Sequence, residues 1–248
     1  MIADGLLETH SMDEIYGFHN MPGMAKGHIF TRVGGIMGSE DNFVIKIHGQ
    51  GCHAARPHMG KDAILIGSEI VVALQTIVSR IVDPNEPVVI SCTEFITDGA
   101  HNAVAGNVVI KGDTRSYSPK VQAQLEKEMK AISEAICTMY GATCEFEYTH
   151  EFSPTVNDVN SVKRAVTAAT NIVGSDCVCG DTSQVMISED FAGFLEKIPG
   201  CFVFIGSGTV EEGCNGIALH NPSFDYNDDI LEIGAKYFAE VARVSLSQ

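Results

Sequence analysis

Between residues 40 and 151 the hydrophobic period of the chain alternates in an order that few folds satisfy. Asn42-Phe-Val-Ile-Lys-Ile-His-Gly49 alternates apolar and polar residues, as a half-buried strand does. Ile66, Ile70, Leu74, Ile77 and Ile81 then recur at helical spacing within residues 59–81, and Pro84 and Pro87 end that run. Residues 88–96 are rich in β-branched side chains, and residues 104–117 read as a second strand antiparallel to them. Ser118-Pro119 opens a helix with Ser as N-cap and Pro in the first turn. Val121, Leu125, Met129, Ile132, Ile136 and Tyr140 share one face of it until Gly141, and residues 143–150 form a last strand. Strand–helix–strand–strand–helix–strand describes a split βαβ sandwich, with two helices on one face of a sheet.

The flanking segments have a different texture. Residues 2–7 read as the end of a helix, 15–18 as a strand, Met21-Pro-Gly-Met-Ala-Lys-Gly27 as a loop and 28–33 as a second strand, with Gly34-Gly35 breaking the pattern. After Ser153-Pro154, Asp158 caps a helix to Val173 and Ser188 caps a short helix to Lys197. Residues 201–206 form a buried strand, 206–221 a loop, and a final helix starts near Asp228. Residues 1–38 and 152–248 are therefore expected to form one α/β domain, with 40–151 inserted as a second.

The formal net charge of −16 argues against nucleic acid, which requires clustered Lys and Arg, and against anionic membrane surfaces. No apolar run is expected to reach a membrane span of roughly 18 residues, and no signal-peptide core is present. The eight cysteines lack a disulfide-framework spacing, and Cys92, Cys137 and Cys201 fall inside apolar patterns where a reduced thiol behaves as a small hydrophobe. A cytoplasmic setting is expected.

Three histidines stand out. His19 and His220 are each followed by Asn, and each follows an apolar run read as a strand, so each is expected where a strand gives way to a loop, a good place from which to aim an imidazole at a metal. The alternative is two unrelated loop histidines. His53 lies in Gly49-Gln-Gly-Cys-His53-Ala-Ala-Arg-Pro-His58, which is either a plain strand-to-helix connection or a loop whose His donates to a developing oxyanion; His58 is expected to cap the following helix. Asn102 and Arg115 flank a strand of the inserted domain, and the planar fork of Arg115 suits a carboxylate. Ser188-Glu-Asp-Phe191 reads as an acidic helix start complementing the helix dipole. Cys177-Val-Cys179 is too isolated for zinc, and Gly206-Ser-Gly208 lacks the Lys of a phosphate loop.

With these residues in hand, the chain resembles the M20 metallopeptidase family, and within it the amidohydrolase branch of hippurate hydrolases, N-acyl-amino-acid amidohydrolases and plant auxin-conjugate hydrolases. Gly5-Leu-Leu-Glu8, Tyr16-Gly-Phe-His19-Asn-Met-Pro-Gly23, Gly51-Cys-His53-Ala-Ala-Arg-Pro-His58, Leu74-Gln-Thr-Ile-Val-Ser-Arg80, Pro154-Thr-Val-Asn-Asp158, Ser188-Glu-Asp-Phe191 and Leu219-His-Asn-Pro222 carry it in family order. The resemblance implies a zinc-peptidase-like catalytic domain with an inserted ferredoxin-like βαββαβ lid that dimerises. It implies His19 and His220 as ligands of two divalent ions (Zn or Mn, with Co or Ni as alternatives). His53 is then the lid residue that reaches across the dimer to the substrate carbonyl, and Asn102 and Arg115 hold the amide and carboxylate of an N-acyl amino acid.

The implied reaction is metal-assisted amide hydrolysis with a glutamate base. The family's Cys-or-Asp-x-His pair and Glu-Glu pair lie upstream of the Gly-Leu-Leu-Glu helix in which this chain begins. The resemblance therefore describes an N-terminally truncated chain, expected to hydrolyse amides poorly or not at all alone. The alternative is a non-catalytic dimerisation or binding fragment. Cys52 stands where the family usually has Gly or Ser, and Ala103-Val-Ala-Gly106 follows Asn102 where Val-Ile-Pro is typical.

Overall fold

The computed structural model describes residues 1–214 and 216–247 of a mixed α/β chain. The chain forms two units. One comprises Met1–Met37, Thr155–Val185 and the described residues from Glu189 onward; the other comprises Gly38–Pro154 and Met186–Ser188. The first unit opens with a single turn, α1 (Leu6–Thr9), and strands β1 (Ile15–Pro22), β2 (Ile29–Phe30) and β3 (Gly34–Met37). The second supplies β4 (Glu40–His48), β5 (Cys52–His53), α2 (Ala63–Thr76), β6 (Val88–Thr97), β7 (Ala103–Val104), β8 (Asn107–Ser116), α3 (Pro119–Met139) and β9 (Thr143–Phe152). The chain then returns to the first as β10 (Thr155–Asn157), α4 (Val159–Val173), β11 (Val178–Cys179), α5 (Ala192–Leu195), β12 (Gly200–Gly208) and α6 (Leu231–Leu246).

In the second unit β6, β8, β4 and β9 pair antiparallel in that order. Alternation along β4 buries Phe43, Ile45 and Ile47, which meet Ile66, Ile70 and Leu74 of α2 and Leu125 and Met129 of α3 in one core. The fully buried Asp41 is tied to α3 by Gln122 Nε2 at 2.6 Å, to β9 by His150 Nδ1 at 2.6 Å, and to Ser39 Oγ at 3.1 Å. A buried carboxylate requires such partners, and these lock three elements together.

Local chemistry moved several boundaries. The carboxylate of Asp62 accepts from Ile64 N and Leu65 N, so α2 starts there, and His58, expected as the cap, lies instead in a 3₁₀ turn (Pro57–Met59). Beyond Thr76 the helix widens into a π turn (Ile77–Ile81). The stretch Ala63–Ile81 is 19 residues long with a mean hydropathy of 1.7, long and apolar enough by length and composition to cross a membrane. This departs from the expectation that no apolar run reaches that length; Ser68, Glu69 and Gln75 break up the apolar residues of this one. One face packs on the sheet, while Leu65 and Val72 are 48% and 70% exposed on the other. The strand expected over 104–117 is two strands, because β7 leaves the main sheet to pair with β5.

In the first unit the sheet order is β1, β12, β2, β11; β12 runs parallel to β1 and antiparallel to β2. All nine residues of β12 are buried, as befits a strand covered on both faces. Its alternation places Cys201, Val203 and Ile205 against α4 and α6, and Phe202 and Phe204 in a separate cluster with Met21, Ile36 and Met37. Asp158 caps α4, accepting from Asn160 N and Ser161 N, each at 2.9 Å. Gly34-Gly35, expected to break the pattern, opens β3, which pairs antiparallel with β10; Gly34 takes φ 79°, a conformation glycine adopts without penalty. Ser188 caps no helix: its hydroxyl donates to Glu40 Oε2 at 2.7 Å, and α5 is only four residues long.

Candidate functional site

His53 and Asn102, far apart in sequence, line one pocket of about 550 Å³ together with Cys52, Asp98 and Asn107. The loop bearing His53 is closed at its base, where Gln50 and Lys61 exchange backbone hydrogen bonds at 2.9 Å in both directions. That closeness needs glycine: a Cβ on Gly60 would lie 2.5 Å from Gln50 O and 2.6 Å from Cys52 Sγ. Strand β5 pairs with β7, and Ala54 N donates to Asn102 O at 3.0 Å, so one small ladder places both residues. The imidazole of His53 has its tautomer set locally. Ala55 N–H can only donate, and it donates to Nδ1 at 3.0 Å. In the neutral ring the proton therefore sits on Nε2, which becomes a hydrogen-bond donor.

Arg115 lies outside this pocket. Asn107, which lines the pocket, begins β8 and Arg115 stands eight residues on, a run of about 27 Å at the rise of a strand. Its Nε donates to Asp113 at 2.6 Å, and its Nη1 meets Glu40 at 3.0 Å and Ser188 Oγ at 3.5 Å. Only the Nη2 edge of the fork is not engaged by these partners.

In the first unit His19 lies inside β1 rather than at its end, because β12 continues to pair with β1 as far as Pro22. Its Nδ1 is 2.6 Å from Asn20 O. A carbonyl oxygen can only accept, so Nδ1 carries the proton and the neutral ring leaves the Nε2 lone pair free. This is the orientation second-shell carbonyls impose on metal-binding histidines. Near it lies Glu189, whose motif reads in the sequence as an acidic helix start. Glu189 is partly buried, and its carboxyl is pushed upward by desolvation and then by the hydrogen bond and charge of Asp190, while the charge of His19 draws it the other way. The motif Ser188-Glu-Asp-Phe191 was the available signal; the proximity to His19 exists only in three dimensions.

His220 does not end a strand. It lies in a turn with φ 64°, the single non-glycine residue of positive φ among the described residues. Asn221 fastens that turn, its Oδ1 accepting from Ser223 N at 2.9 Å and its backbone carbonyl from Phe224 N at 2.9 Å. Among the described residues no three His, Cys, Asp or Glu side chains come close enough to hold a metal ion. The residues present thus supply a histidine wired as a ligand but do not by themselves assemble a metal centre.

The description of peptidase family M20/M25/M40 matches residues 1–244, and the chain belongs to that family. It is similar to YhaA of Bacillus subtilis, assigned as an amidohydrolase, with 39% identity over 242 residues, covering 98% of this chain and 60% of that protein. Similarity to the hippurate hydrolase of Campylobacter jejuni is 31% over 242 residues, covering 98% and 62%. Among solved structures, the Bacillus subtilis YXEP protein, a dinuclear metal-binding peptidase of the M20 family, superposes with a TM-score of 0.81 at 26% identity, covering 100% of this chain and 60% of that one. The chain thus spans about 60% of the length of these relatives.

Proposed function

We propose that this chain carries the lid and part of the catalytic unit of a metal-dependent amidohydrolase that cleaves N-acyl amino acids such as hippurate. The observation that carries this reading is the opposite wiring of two histidines. His19 is held with Nε2 bare, as a ligand to one of two divalent ions, zinc or manganese, requires; His53 carries its proton on Nε2, as a donor to a carbonyl oxygen requires. His220 is the ligand for the second ion. Asn102 shares the pocket of His53 and reads the substrate amide, and Arg115 grips its carboxylate through the free edge of the guanidinium.

The run of about 27 Å along β8 is far longer than an N-acyl amino acid, so His53 and Arg115 of one chain do not reach the same substrate. We therefore assign a homodimer, in which the pocket of one protomer serves the Arg115 of its partner. The exposed apolar face of α2 (Leu65, Val72) and the edge strand β6, with Phe95 and Ile96 exposed, form the surface a second copy covers. A small-molecule substrate and a cytoplasmic site complete the proposal; the eight scattered cysteines suit a reducing compartment.

Metal content and hydrolysis of hippurate and N-acetyl amino acids by this chain, with zinc or manganese added, test the reading. Weak metal binding and poor turnover are expected, since the described residues assemble no metal centre. Robust turnover by the chain alone would overturn that expectation. Sedimentation equilibrium is expected to show a dimer that Val72→Glu splits; a wild-type monomer would remove the composite site.

A further inference from the structure

We propose that Asp98 is the positioning residue of the His53–Asn102 pocket, the group whose hydrogen bonds hold the loop presenting Asn102 against the strand presenting His53. The inference rests on the functional reading above for its importance, but its geometry stands alone.

The connection from β6 to β8 is not a tight hairpin. Residues 98–106 reach out from the sheet, and Asn102 sits exposed at the tip, in a turn closed by reciprocal bonds between Ala100 and Ala103 at 3.1 Å. The pairing of β5 with β7 joins Cys52 with Val104 and His53 with Ala103, and beyond it Ala54 N adds a single bond to Asn102 O at 3.0 Å. A two-residue ladder is a weak fastening for an exposed tip. Asp98 closes the base of this excursion. Its Oδ1 accepts from Gly106 N at 2.9 Å and Asn107 N at 3.0 Å, and its Oδ2 accepts from Asn107 Nδ2 at 2.8 Å. These donors hold the carboxylate ionised, with its pKa below the ordinary Asp value.

The two backbone donors also touch the other side of the pocket. Gly106 O accepts from Gly49 N at 2.8 Å, and a Cβ on Gly106 would lie 2.9 Å from Gly51 N, so the His53 loop rests directly on the backbone that Asp98 fixes. Asn107 in turn holds the ring of His48, Oδ1 to Nδ1 at 3.0 Å. The Asp98 carboxylate thus fixes the backbone on which the His53 loop rests, alongside the backbone bonds from Asp98 N to Asn107 O at 3.4 Å and from Ala63 N to Ala105 O at 3.2 Å. Among the described residues no Lys or Arg lines the pocket, and the Asp98 carboxylate bonds amide donors rather than a cation.

Hydrogen exchange and histidine ring ¹⁵N shifts on the intact chain test this without any turnover, so a failed hydrolysis assay and a failed positioning role are separately visible. In Asp98→Ala the amides of Ala54, Ala100 and Ala103 are expected to exchange about tenfold faster or more, while amides of β4 and α3 stay within about twofold. The Nδ1 and Nε2 shifts of His53 are expected to move toward a tautomer mixture as Ala55 N–H loses its fixed position. Asp98→Asn, whose carbonyl oxygen still accepts from Gly106 and Asn107, is expected to restore most of the protection. Unchanged Ala54 and Ala103 exchange in Asp98→Ala would overturn the proposal. So would acceleration spread evenly over β4, β8 and α3, which would make Asp98 a general fold residue.

Discussion

The loop that carries His53 and the segment that carries His220 are fastened in different ways. The first is bound backbone to backbone, by the Gln50–Lys61 exchange at its base and by the short ladder with β7. The described residues of the second, 209–214 and 216–227, are held by local turns and side-chain bonds: Cys214 N donates to Thr209 O at 3.1 Å, Glu212 accepts from Thr209 N, Asn221 accepts from Ser223 N, and Asn227 Nδ2 donates to Ser207 O at 2.7 Å. His53 therefore receives its tautomer and position from its own fold, whereas His220 takes φ 64° in a turn that Asn221 fastens. A hydrogen-bond donor to substrate has to be preset by its surroundings. A ligand can be completed by its metal, so looser fastening at His220 fits the role proposed for it.

The largest effect is expected where backbone meets backbone. Gly60→Ala forces a methyl to within 2.5 Å of Gln50 O, and the base of the loop must open. A cost of about 2 kcal/mol to the second unit is expected, read as a shift of its urea transition, together with loss of the single His53 tautomer. The first unit and the ring shifts of His19 are expected to be unaffected. If Gly60→Ala leaves both the transition and the His53 shifts in place, the loop is not closed in the way described.

A smaller effect of opposite sign is expected at the other histidine. A non-glycine residue in the left-handed region carries strain, so His220→Gly should raise the stability of the first unit by about 1 kcal/mol while removing a proposed ligand. His53→Gly should bring no such gain. A destabilised His220→Gly would show that the imidazole packs or bonds in a way that outweighs its backbone strain.

What could be read from the sequence, and what could not, follows the same division between local and distant partners. The helix from Asp158 to Val173 was legible because its cap, its apolar stripe and its closing Gly174 are all local. The alternation of β4 and the stripes of α2 and α3 likewise sufficed for the mixed α/β class. In the sequence His19 reads as a strand end because nothing nearby shows that β12 extends the pairing to Pro22. Gly34-Gly35 looked like a break because its partner, β10, lies more than a hundred residues away. Ser188 looked like a cap because its actual acceptor, Glu40, is equally remote, and the approach of Glu189 to His19 is hidden for the same reason. The pairing of His53 with Asn102 in one pocket depends on a two-residue ladder that no periodicity announces.

The finest test uses acid. Beside each region lies a carboxylate whose pKa is lowered: Asp98 by the backbone and side-chain bonds of Asn107 and by Gly106, Glu212 by the backbone amides of Thr209 and Lys26. A depressed carboxylate contributes stability that is full above its unfolded pKa and is lost as pH falls through the folded one. The relevant window therefore lies below the ordinary values of 3.8 for Asp98 and 4.5 for Glu212. The amide shifts of Gly106 and Asn107, and those of Thr209 and Lys26, should titrate in that window, and Glu212→Gln should abolish the second set alone. Because Gln50 and Lys61 bond through backbone groups that do not titrate, their protection factors should hold steady while that of Thr209, whose amide donates to the Glu212 carboxylate, falls. Equal loosening of both regions would mean that the backbone clamp adds nothing, and the contrast between the two histidines would reduce to that of two carboxylates.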